Sequence, residues 1–168
     1  VLIIMGSFTL TSIHSNPNRE AFRQLQAEKG ISINYEGRIG EYDLYHSNKR
    51  FVEEDTYLLS NGAGLFTAGT FIYKQAADLT TSLQLLLTDL LNNSFSYTNI
   101  RGHFVFVFTP DFKNIFLGTD RAGVQNLFYD TQLHYISSSF SALSIIHGKE
   151  LHHDKQALTE TLVHGYAI

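Results

Sequence analysis

The segment Arg101-Gly102-His103-Phe104-Val105-Phe106-Val107-Phe108 limits what this chain can fold into more than any other. Side chains alternate between the two faces of a strand, so the three Phe share one face and Val105 and Val107 the other. Neither face can be left in water. A strand of this kind belongs in the middle of a sheet, buried on both sides.

The remaining patterns supply the covering elements. Between residues 31 and 73 short apolar runs alternate with turn residues: Ile31-Ser32-Ile33-Asn34-Tyr35, Tyr42 to Tyr45, Thr56 to Leu59, Leu65-Phe66 and Thr70 to Tyr73. This rhythm predicts several antiparallel strands, with a further opening strand or two between Leu2 and Ile13. Leu83, Leu86, Leu87, Leu90 and Leu91 recur at helical spacing and predict a helix ending at Asn92-Asn93. A shorter helix over Glu20 to Ala27 follows a cap in Ser15-Asn16-Pro17-Asn18 and stops at Gly30. After the turn Pro110 to Asn114, strands at Ile115 to Gly118, Leu127 to Tyr129 and Leu133 to Ile136 read as a meander. Two closing helices follow. One runs from Ser139 to His147 with Phe140, Leu143 and Ile146 in a stripe, and the other lies beyond the cap Asp154. Strands, a helix, more strands and closing helices give an α+β fold with the strands in two stacked antiparallel sheets.

Composition narrows the function. The 168 residues suit one domain, with 43% hydrophobic and 17% charged residues excluding disorder. The net charge is -4 and no stretch concentrates Lys or Arg, which argues against a nucleic-acid partner. Val1 to Met5 is too short for a signal-peptide core and no run reaches membrane-spanning length, so the expected location is the cytoplasm and no membrane partner is expected. The absence of cysteine excludes disulfides, thiolate metal sites and a thiol nucleophile.

Three segments in register then carry a resemblance. Asp120-Arg121-Ala122-Gly123-Val124-Gln125-Asn126-Leu127-Phe128-Tyr129 resembles the Asp-Arg-aromatic-Gly run that closes on Pro-Leu-Tyr-Tyr in asparagine synthetases, with Asn126 in place of the proline. Upstream, Ile100 to Phe106 is similar to that family's Leu-x-Gly-x-Phe-Ala-Phe strand. Downstream, Ile136 to Leu143 is similar to its Phe-Ala-Ser-Glu-x-x-Ala-Leu turn into a helix. Ala157 to Tyr166 resembles the helix and Gly-Tyr with which such domains pass into a synthetase domain. Before residue 68 the likeness is architectural. The family is the N-terminal, class II glutaminase-type domain of the asparagine synthetase, β-lactam synthetase and lasso-peptide cyclase superfamily. It implies a fold of the N-terminal-nucleophile (Ntn) type, a four-layer αββα sandwich spanning residues 1–168. It also implies a C-terminal ATP-dependent synthetase domain beyond residue 168.

Carried over residue by residue, the resemblance removes the chemistry. A class II glutaminase attacks glutamine with an N-terminal cysteine and stabilises the intermediate in an oxyanion hole, whereas this chain begins with Val1. The Asn-Gly oxyanion element falls on Ala68-Gly69, and Ala68 has no amide to donate. The aspartate expected to hold the substrate amino group falls on Thr80, with Asp78 two residues earlier. Ala68, Gly69 and Thr80 therefore form a vestigial glutamine pocket and no catalytic residue is assigned. Gly102, Asp120, Arg121 and Gly123 form a structural signature that supports the sheet and its turn. Asn61-Gly62, the other Asn-Gly pair, reads as a tight turn. His147, His152, His153 and His164 match no zinc spacing, so no metal is assigned.

The leading expectation is a glutaminase-like domain without glutaminase activity, half of an amide-forming ligase. The chain needs no cofactor of its own, and ATP and Mg belong to the synthetase domain, since the Ser-Gly-Gly-x-Asp-Ser phosphate loop is absent from this sequence. Alternatives are a stand-alone binding module on the same fold, and an amidohydrolase with a processed Ser or Thr nucleophile, such as the Ser7 that cleavage after Gly6 would expose. If a synthetase domain packs here, apolar groups among Ile145, Leu151, Val163, Tyr166 and Ile168 should lack partners, with self-association as a consequence.

Overall fold

The computed structural model describes residues 6–48 and 55–148. Their strands form two wholly antiparallel sheets. Sheet 1 holds β1 (Ser7–Ser12), β2 (Tyr35–Ile39), β3 (Tyr42–Ser47), β8 (Phe128–Tyr129) and β9 (Tyr135–Ser137) in the order β2-β3-β1-β9-β8. Sheet 2 holds β4 (Tyr57–Ser60), β5 (Ala63–Tyr73), β6 (Ile100–Thr109) and β7 (Phe116–Thr119) in chain order. Helices α1 (Arg19–Glu28), α2 (Leu79–Leu91) and α3 (Phe140–His147) complete an α+β architecture.

The alternation expected of residues 101–108 is what β6 shows. Phe104, Phe106 and Phe108 pack with Phe71 and Tyr73 of β5 and with Leu83, Leu86 and Leu87 of α2. Val105 and Val107 pack with Phe66 and Ala68 of β5 and, across the gap, with Phe8, Leu10 and Leu44 of sheet 1. On the other face of sheet 1, Tyr45 and Tyr135 meet Phe22 of α1 and Ala142 and Ile146 of α3. Each sheet thus has one face toward the other sheet and one toward helix.

Local chemistry fixes the helix ends. Asn18 caps α1 through the Ala21 N–H, Asp78 caps α2 through Thr81, and Ser139 caps α3 through Ala142. Asp89 then anchors α2 to β5: it accepts from the Tyr73 hydroxyl at 2.6 Å, pairs with Lys74 Nζ at 2.7 Å and accepts from Ser94 at 3.2 Å. Burial, then the Asp89 carboxylate, pushes the Tyr73 hydroxyl up to about 12.

Several sequence expectations are corrected. Leu65-Phe66 and Thr70 to Tyr73 belong to one 11-residue strand, because Gly69 stays within the ladder instead of breaking it. Ile31 to Asn34 precede β2, and the Ile31 N–H closes α1 on the Gln26 carbonyl. The strands after residue 115 are no meander: β7 pairs with β6 in sheet 2, while β8 and β9 belong to sheet 1. In α3 the buried residues are Ala142 and Ile146, whereas Phe140 is 52% exposed with its ring 5.5 Å from that of Phe128. The helix expected after Asp154 and the segment Leu2 to Met5 lie outside the described residues.

Candidate functional site

Ala68 and Gly69 sit in the middle of β5, opposite Val105 and Phe104 of β6. Alternation turns the Ala68 methyl into the gap between the sheets, where it is completely buried among Phe8, Leu44 and Phe66. A methyl there adds packing and offers no hydrogen to a developing oxyanion. Gly69 has φ +97°, and a Cβ on it would meet the His103 carbonyl oxygen at 2.2 Å. Gly102 mirrors it on β6, with φ +123° and the Thr70 carbonyl at the same 2.2 Å. The two glycines flank the Thr70–His103 pair symmetrically, so the strands approach and turn where only glycine fits. Gly69, expected in the pocket, and Gly102, expected in the signature, are thereby neighbours in one continuous ladder.

Thr80 stands apart from this place. It is exposed on the first turn of α2, while Ala68 has no exposed surface. Asp78, the nearby carboxylate, is engaged as the N-cap of α2. It accepts from the Thr81 N–H at 2.6 Å and the Thr81 hydroxyl at 3.0 Å, bonds that hold its carboxyl below the ordinary value.

Beside Ala68 lies a polar group that the sequence reading passed over. His46 on β3 is completely buried, and its Nε2 lies 3.1 Å from the Thr67 carbonyl and 3.3 Å from the Thr56 hydroxyl. The carbonyl can only accept, so Nε2 carries the proton and Nδ1 is the bare acceptor. Nδ1 has no partner among the described residues. Burial pushes this imidazole down to about 4, against weaker opposing effects of the Thr67 bond and Asp55. Thr67 in turn donates to the Thr56 carbonyl from both Oγ1, at 2.8 Å, and N, at 2.9 Å. One signal was present in the sequence: His46 lies two residues from Leu44 and shares its inward face.

Asp120 does hydrogen-bonding work. With 5% exposure, its carboxylate accepts from the N–H groups of Ala122 at 3.0 Å, Val124 at 3.2 Å and Gln125 at 2.9 Å. Burial raises its proton affinity, and these backbone donors outweigh that and hold the carboxyl below its ordinary value. The loop it organises carries the chain from β7 in sheet 2 to β8 in sheet 1. Gly123 in that loop has φ +63° with open space where a Cβ would be. Arg121 is exposed, and its guanidinium has no partner among the described residues.

Asn61 and Gly62 form the two-residue β4–β5 turn, both at positive φ. On β1, Phe8 and Leu10 face the gap, so Ser7 shares the opposite face with Thr9 and Thr11. Ser7 and Ala68 thus do not converge. Among the described residues no three His, Asp or Glu side chains are placed to hold a metal, and no helix is long and apolar enough to cross a membrane. Comparison with protein-family models, with curated proteins and with solved structures gives no match.

Proposed function

We propose that this chain is a glutaminase-like domain that no longer hydrolyses glutamine, the structural half of an asparagine-synthetase-related, ATP-dependent amide ligase. The single observation that carries the reading is the closed state of the former oxyanion position. Ala68 is sealed between the sheets beside a glycine-only kink, in a chain without cysteine. The three apolar clusters, in the succession helix, sheet, sheet, helix, support an Ntn-type four-layer αββα sandwich. The Asp120 cradle supports a structural role for the signature segment.

In this reading the C-terminal synthetase domain is the partner and brings ATP and Mg, and the location is the cytoplasm. Ile145 is half-buried on α3, and Leu151, Val163, Tyr166 and Ile168 lie outside the described residues. The test uses the natural full-length protein. With ATP, a carboxylate substrate and an amine, it should release AMP and pyrophosphate, and glutamine should not replace the amine. A full-length protein with no phosphate-loop domain, or one driven by glutamine, would sink the proposal. The stand-alone binding module is the second reading, and an open recess of mixed polar and apolar lining where β5 ends and β6 begins favours it.

A further inference from the structure

The face of sheet 2 that is buried at Ala68 and Val105 does not end there. Alternation continues it through Ile72 and Arg101, which are direct partners; the chain then turns at Lys74, whose N–H donates to the Asn99 carbonyl at 2.7 Å and whose Nζ reaches Asp89 on the α2 side of the sheet. Four residues of strand put Ile72 roughly 13 Å beyond Ala68, where the face emerges from the gap and Ile72 is 51% exposed. A recess of about 370 Å³ opens at this end, lined by Ile72, Lys74, Gln75, Thr98, Asn99 and Arg101 together with Ala76. That volume lies near the lower end of the roughly 300–1,000 Å³ usual for ligand sites.

Both charged side chains in the lining are cations, and one of them, Lys74, is already paired with the Asp89 carboxylate at 2.7 Å. Arg101 is exposed, and its guanidinium has no partner among the described residues. Lys74 is held by Asp89, which offsets its charge and leaves Arg101 as the cation that can meet an anionic head group. Lys74 and Gln75 hold φ +50° and +57° in a turn closed by the Ala76 N–H on the Tyr73 carbonyl at 3.0 Å. Gln75 and Asn99 add amides, Thr98 a hydroxyl, and Ile72 and Ala76 an apolar wall.

We infer that this recess binds a small organic anion, its carboxylate or phosphate head on Arg101 and its apolar part against Ile72. The site stands whether or not the chain belongs to a ligase. The test is an amide-resolved NMR titration of the full 168-residue chain at low ionic strength. Inorganic phosphate and succinate are the two probes, with potassium chloride at matched ionic strength as control, because exposed charge pairs are screened by salt. Saturable shifts centred on residues 74–76 and 98–101 with at least one probe are expected, and which probe saturates identifies the head group. Arg101→Gln should weaken that binding by roughly fivefold or more, as loss of a charge-assisted donor requires, and Arg101→Glu should abolish it. Lys113→Gln, an exposed cation outside the recess, should change nothing. Shifts from both probes that track chloride without saturating, or equal binding by Arg101→Gln with an unchanged melting temperature, would overturn the inference.

Discussion

Gly69 and Gly123 both need positive φ, but a side chain would meet a carbonyl at the first and open space at the second. The difference separates two costs. Gly123→Val should lose about 1–3 kcal/mol from backbone strain alone, while Gly123→Asn, which tolerates this region, should be close to neutral. At Gly69 neither strain nor clash can be relieved, so Gly69→Asn should be destabilising where Gly123→Asn is not. Urea midpoints of these three variants check the ordering. His46 makes a separate prediction in pH. Its pKa is about 4 folded against 6.5 as the ordinary value, so between these limits the unfolded chain binds the extra proton. Its contribution is complete above pH 6.5 and is lost as pH falls toward 4, by ~3 kcal/mol at most. His46→Gln should flatten that part of the stability profile; an identical slope in the variant would remove His46 as its cause. Asp78, Asp89, Asp111 and Asp120, all held below 3.8, act only at lower pH. Alternation with Leu44 made the burial of His46 legible, but its orphan nitrogen depends on β5, a partner distant in sequence.

At the scale of elements, β6 was legible because its own residues demand cover on both faces. β5 was not, because glycine inside a strand carries the same local signal as glycine at a break; its role depends on Gly102 across the ladder. The crossover after β7 was hidden for a related reason. Periodicity marks strands and does not say which sheet receives them, so β7, β8 and β9 read as a meander. Asp120 decides that path by gathering three N–H groups of the following loop. Asp120→Ala leaves those donors unpaired and should cost ~2–3 kcal/mol. Asp120→Asn, which keeps an acceptor oxygen, should recover part of the loss. Equal denaturant midpoints for wild type and Asp120→Ala would show that the loop holds without its carboxylate.

For the whole molecule, packing demands in the sequence led to two antiparallel sheets with helix on the outer faces, and the described residues have them. Function was less legible, since it rested on the register of three short segments with one family. Physically, the absence of cysteine is plain in the sequence, but the sealing of Ala68 appears only when sheet 1 is laid over sheet 2. The central claim is that this arrangement cannot hydrolyse glutamine. In the proposed reading Ala68 stands where an oxyanion donor would be, a loss that alone costs on the order of 10²–10³ in rate, and these 168 residues hold no cysteine. The most direct measurement is ammonia release from glutamine by the purified 168-residue chain. The rate should equal the enzyme-free control. Release above that control that scales with protein, co-purifies with it and disappears in Gly69→Val would contradict the account.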